Sequence, residues 1–145
     1  MSQLKFYYQN VSEFANIPAN AMFKKWAQAA LRVESGVTIR IVDEHEARAL
    51  NSQYRGKDYA TNVLTFPITE SPILMGDIVI CAPVVAAEAI AQNKSITAHF
   101  AHLIVHGMLH LSGFDHETEP QAELMEALEV QILAKLGYAN PYLVT

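Results

Sequence analysis

Ile96-Thr-Ala-His99-Phe-Ala-His102-Leu-Ile-Val-His106-Gly-Met-Leu-His110-Leu-Ser-Gly113-Phe-Asp-His116 decides how this chain is read. Phe100, Leu103, Ile104, Val105, Met108, Leu109 and Leu111 surround a helical axis, which predicts a helix from Ile96 to about Ser112, capped by Ser95 and buried on most sides. His106 and His110 are four apart, so a helix sets them on one face, one turn above the other. Gly113 can take the left-handed conformation that ends a helix and turns the chain back. His116 can then reach the ion that the first two rings approach. Three neutral imidazoles with an open fourth position are the ligand set of catalytic zinc, whereas structural zinc is closed by a fourth protein ligand. The expectation is one zinc ion per chain on His106, His110 and His116.

The upstream histidines compete for this role. His102 and His106 are also four apart, but His102 and His110 lie eight apart, roughly 12 Å along a helix. One ion cannot join them, and a His102/His106 pair lacks a nearby third ligand, whereas His106/His110 has His116. His99 and His102 are therefore expected on the helix face or behind the ligands. The pattern H-x-x-x-H-x-x-G-x-x-H is that of metzincin proteases, which place a Glu general base directly after the first His. Here that position is Gly107, so the cage resembles a protease's and the proton acceptor is missing.

His106-Gly-Met-Leu-His110-Leu-Ser-Gly113-Phe-Asp-His116 also resembles the signature of the YbeY family of bacterial endoribonucleases. The likeness continues upstream through Leu50-Asn51-Ser-Gln-Tyr54-Arg55-Gly56-Lys57-Asp58, Thr61-Asn62-Val63-Leu64-Thr65-Phe66-Pro67 and Gly76-Asp77-Ile78-Val79-Ile80-Cys81, covering most of residues 38–130 in order. Ala60 and Thr65 stand where the family often has Pro and Ser. The resemblance implies a single-strand-specific metallo-endoribonuclease acting in 16S rRNA 3′-end maturation and ribosome quality control. It implies catalytic roles for Arg55 and His106, single-stranded rRNA as substrate, and the small ribosomal subunit or assembly factors as partners, with no membrane or DNA partner. Arg55 suits a phosphate because its planar fork binds one in bidentate fashion. Asp115 either orients a ligating imidazole or begins the turn, and Asp77 has no catalytic role. Two other readings stand beside the nuclease. One is a metalloprotease-like hydrolase, against which Gly107 argues; the other is a ribosome-associated protein with a structural metal, against which the open three-histidine site argues.

Bulk properties bound these readings. With 145 residues and 51% apolar content, the chain is expected to form one domain, residues 1–145, with one core. No run reaches the roughly 18–20 apolar residues of a membrane span, and the start lacks a signal-peptide pattern. Cys81 is alone, which suits the cytoplasm and an inert, buried thiol. Residues 1–95 carry nine Lys/Arg and nine Asp/Glu, so the net charge of −5 lies in the last third, largely in Glu117, Glu119, Glu123, Glu126 and Glu129. These read as a solvated helix face. Cations near a substrate groove must come from elsewhere, and Arg55 and Lys57 are the candidates. So few cations predict weak affinity for naked RNA and a substrate presented by a partner.

Periodicity predicts a strand over Leu4–Tyr8, a helix from Pro18 to about Arg32, and a strand over Val37–Val42. A helix to about Tyr54 follows, opened by an Asp43/Glu46 capping box. A polar loop over Arg55–Thr61 leads to a strand at Asn62–Phe66, ended by Pro67. A strand at Asp77–Cys81, a helix from Pro83 to about Asn93, the histidine helix and a last helix from Pro120 to about Leu136 complete the chain. Four strands and about five helices in this order predict an α+β fold with a mixed four-stranded sheet.

Overall fold

The computed structural model describes residues 3–143. Two strands, β2 (Ser35–Val42) and β4 (Leu74–Cys81), are close to unbroken buried runs. Such runs suit the sheet interior, where both faces are covered. They lie side by side and parallel, with β1 (Leu4–Asn10) parallel to β2 and β3 (Val63–Thr69) antiparallel to β4, giving the order β1-β2-β4-β3. The mixed four-stranded sheet with five helices is thus as the sequence implied. Helices α1 (Asn20–Ala29), α2 (Glu44–Arg55), α3 (Ala82–Ala91), α4 (Ile96–Leu111) and α5 (Glu119–Lys135) complete it.

Alternation along the central strands sorts side chains onto two faces. Val37, Ile39, Ile41, Leu74, Ile78 and Ile80 join Phe23 and Trp26 of α1, the apolar residues of α4, and Met125 and Leu133 of α5 in the main core. Val42, Val79 and Cys81 meet Ala47 and Leu64 in a smaller core. Helix α4 is therefore walled by the sheet, α1 and α5. Its ten buried residues include Phe100, Ile104, Met108 and Leu109, as its composition predicted. Ser95 caps it, accepting from the Ala98 amide at 3.0 Å.

Three local expectations are corrected. Pro67 does not end β3, which runs on to Thr69. Proline is tolerated there because β3 is an edge strand, where a missing N–H breaks no ladder. The capping box at Asp43 is absent. Glu46 instead takes a bidentate bond from Arg40 of β2, at 2.6 and 2.9 Å, and Asp43 accepts from the Glu13 amide at 3.0 Å. A true capping box opens α5, between Thr118 and Gln121. Pro18 lies two residues ahead of α1 rather than inside its first turn.

Candidate active site

The close approach of α4 to the sheet fixes the site. A Cβ at Gly107 would lie 3.0 Å from Ile78 Cδ1, so this position faces β4 and has no room for a long side chain. The general base of a metzincin would have to enter that packed strip. His106 and His110 lie to its side, their rings nearly parallel at 4° with centroids 6.4 Å apart. After α4 the chain turns at Gly113, whose φ of 101° is open to glycine and strained for other residues. The turn brings the His116 ring to 5.6 Å from His106 and 6.1 Å from His110.

The three rings line one wall of an open cleft of about 570 Å³. Val63, Leu64, Thr65 and Phe66 of β3 and the end of α2, Tyr54 and Arg55, form the other. Gly56 stops α2 in the left-handed region, and the following loop is tied back twice. Asn51 Nδ2, buried, donates to the Tyr59 carbonyl at 2.8 Å, and Arg48 forks onto Asp58 at 2.8 and 3.1 Å. Arg55 itself is exposed and, among the described residues, has no hydrogen-bonded or ionic partner. Lys57 is exposed but does not line the cleft, so only one of the two expected cations reaches it. Asp115 lines the cleft, and its Oδ1 accepts from the His116 amide at 2.7 Å. That is the turn-forming role of the two open to it.

Ring nitrogens separate the histidines of α4 into two kinds. His99 Nε2 meets Glu88 of α3 at 2.9 Å, and His102 Nε2 meets Glu129 of α5 at 2.6 Å. His106 and His110 use the other nitrogen: His106 Nδ1 meets Glu129 Oε2 and His110 Nδ1 meets the Phe114 carbonyl, both at 3.2 Å. Their Nε2 atoms are left as lone-pair donors. With Zn–N near 2.0–2.1 Å, a ring centroid sits roughly 3.2 Å from the ion and tetrahedral pairs sit about 5.2 Å apart. The wider pairs here must close by about an ångström. Among the described residues no three His, Cys, Asp or Glu side chains already converge closely enough to hold an ion. Both wider pairs include His110, so a turn of its ring would close them; donor type, free nitrogen and triangular placement fit zinc.

Sequence reasoning misses Glu129. Its spacing reads as part of an acidic, solvated helix face, yet it is fully buried. Its Oε1 also accepts from Tyr142 Oη at 2.6 Å. Burial pushes its carboxyl up, but the bonds from His102, His106 and Tyr142 outweigh that and bring it down to about 2. The only available signal was helical phase: Glu129 falls four residues after Met125, another buried position of α5. Cys81 is buried as expected, and burial pushes its thiol up, away from reactivity. Among the described residues no helix is long and apolar enough to cross a membrane.

Comparison with known proteins shows the family. Residues 7–137 match the family model described as "Endoribonuclease YbeY". The Endoribonuclease YbeY of Methylobacillus flagellatus is 57% identical over 98% of this chain and 95% of its own length. That of Nitrosomonas eutropha is 49% identical over 94% and 96%. The solution structure of TM1509 from Thermotoga maritima shares the fold, with a TM-score of 0.57 and 22% identity over 93% of this chain and 92% of that one. On the near full-length match and the identity of these relatives, the chain belongs to the endoribonuclease YbeY family.

Proposed function

We propose that this protein is a zinc-dependent endoribonuclease that cuts single-stranded RNA, with one zinc on His106, His110 and His116 and Arg55 set against the scissile phosphate. The supporting observation is that the only arginine lining the cleft stands across it from the three rings, unpaired among the described residues. A bound zinc supplies an acidified water and a Lewis acid for a phosphoryl oxygen. Arg55 binds the phosphate through its fork and stabilises the charge that develops on it. The Glu129 and Phe114 oxygens hold protons on Nδ1 of His106 and His110, so each offers Nε2 as a neutral donor.

The wall opposite the rings supports a flexible strand as substrate. Asn62 directs its carbonyl to Cys81 of β4, and the Val63 amide instead meets the Asn62 side chain. By antiparallel alternation the Thr65 amide and carbonyl then lie on the free edge of β3, beside the cleft. The amide can donate to a phosphate oxygen and the carbonyl can accept from a ribose hydroxyl of an extended strand. Glu117 lines the cleft at the His116 end, and its charge steers phosphates toward Arg55 instead. We further assign immature small ribosomal subunits in the cytoplasm, with the 16S rRNA 3′ end, as the setting; the scarcity of cations supports a substrate that is presented by its particle. The test is cleavage of matched single-stranded and duplex RNA, free rRNA, immature small subunits and casein, each with and without chelator. Chelator-sensitive cutting of single strands and particles is expected. Chelator-sensitive peptide cleavage without RNA cleavage would overturn the reading.

A further inference from the structure

Among the described residues, Glu129 is the only fully buried carboxylate. Removing an ion from water costs several kcal/mol unless its lone pairs are met. Here both oxygens are met by three side chains, two from α4 and one from the segment after α5: Oε1 by His102 Nε2 and Tyr142 Oη, each at 2.6 Å, and Oε2 by His106 Nδ1 at 3.2 Å. A carboxylate only accepts, so the hydrogen between Glu129 and His106 sits on Nδ1. A neutral His106 then has its lone pair on Nε2. An apolar residue of similar size would fill the same space at no desolvation cost, so packing of α5 on α4 does not by itself call for an acid.

We propose that Glu129 is the positioning residue of the metal site. It fixes the tautomer and ring orientation of His106 before zinc arrives, while Tyr142 and His102 hold the carboxylate in place. The assignment rests on the zinc reading proposed above and adds a residue of α5 to it. His110 gets the same service from a backbone carbonyl, which no substitution can remove; at His106 the service comes from a side chain and is open to test.

Three measurements test it, none of them cleavage. Long-range 1H–15N correlation spectra of the metal-free wild type, at mildly alkaline pH where the rings are neutral, should show His106 protonated on Nδ1. An Nε2–H tautomer would overturn the proposal, and this holds whether or not any variant folds. Zinc affinity, measured by competition with a chromophoric chelator, should fall about 10–100-fold in Glu129→Gln, with its far-UV circular dichroism unchanged. Tyr142→Phe, which leaves the Oε2–His106 bond in place, should change affinity by less than about 3-fold. Equal losses in the two variants would mean that general packing sets affinity, and would overturn the proposal. Wild-type affinity in Glu129→Gln would overturn it while leaving the zinc reading intact, whereas failure of the wild type to bind zinc would sink both.

Discussion

Helix α4 carries four histidines, and its two halves treat them in opposite ways. In the first half, His99 and His102 spend Nε2 on carboxylates and bury an Nδ1 that has no partner among the described residues. In the second half, His106 and His110 spend Nδ1 on protein oxygens and keep Nε2 for the cleft. Residue type, helix and neighbouring apolar residues are shared. What differs is the atom that the protein occupies. A ring tied at Nε2, the end farther from the backbone, is a strut between helices. A ring tied at Nδ1 presents its far end, with a free lone pair, to the cleft. Glu129 belongs to both kinds, receiving Nε2 of His102 on one oxygen and Nδ1 of His106 on the other.

The contrast breaks if the halves respond alike to substitution. His110→Ala should lose nearly all bound zinc, about one equivalent in the wild type, and more RNA cleavage than the roughly 10–100-fold that loss of a ligand's hydrogen-bond partner costs. His99→Gln should keep zinc and cleavage and instead lose about 1–3 kcal/mol of stability, because Glu88 and the buried site lose a matched partner. Elemental analysis and urea denaturation on the same preparations decide this. A zinc-replete His110→Ala protein would erase the distinction.

Faces of the second half differ as well. Gly107 meets Ile78 while its neighbour His106 meets the cleft. Gly107→Glu restores the metzincin sequence but drives a carboxylate into the α4–β4 contact, with an expected cost of about 3–5 kcal/mol and no peptidase activity. Thermal denaturation and a casein assay measure both. A stable, peptide-cleaving Gly107→Glu protein would show that position 107 is open to the cleft.

Across the cleft, Arg55 should behave unlike every histidine. Arg55→Ala is expected to keep the fold and the zinc and to lose about 10²–10³-fold in cleavage, the scale of removing one donor to a developing oxyanion. Arg55→Lys should recover only part of this, because an ammonium cannot fork. Zinc loss in Arg55→Ala would make the residue structural.

These contrasts also explain what was legible in the sequence. The grouping of His106, His110 and His116 was legible because its geometry is local: a four-residue helical step, a glycine and a short return bring three rings together without knowledge of the rest. The mixed sheet was legible from the order of its elements, four strands among about five helices. Partners distant in sequence were not legible. Glu129 lies 23 residues from His106 and resembles the exposed Glu123 and Glu119 until α5 is docked. Asp43 and Glu46 have the spacing of a capping box, and Arg40 of β2, six residues before Glu46, outcompetes the helix amide for the carboxylate. Asn51 reads as one more polar residue before a loop, yet its buried amide ties down the segment that follows Arg55.

The smallest expected effect concerns the first half of α4 alone. His99 is buried, and burial lowers its pKa; the bond to Glu88 raises it but is outweighed, and Lys94 and His102 add to the lowering. The unfolded chain titrates this ring near 6.5. Below that pH the unfolded state therefore binds a proton that the folded state does not. By linkage, stability gained from this ring is complete above about pH 6.5 and declines as pH falls toward the lower folded value. One proton bounds the decline at about 1.4 kcal/mol per pH unit. Urea midpoints at pH 7.5 and 5.5 should fall further apart in the wild type than in His99→Gln, whose amide does not titrate. Equal pH dependence in the two proteins would mean that His99 is protonated as readily folded as unfolded. The strut would then be a charged ion pair with Glu88 rather than a neutral hydrogen bond, and the contrast between the halves of α4, which rests on the nitrogen that is bound, would gain a difference in charge.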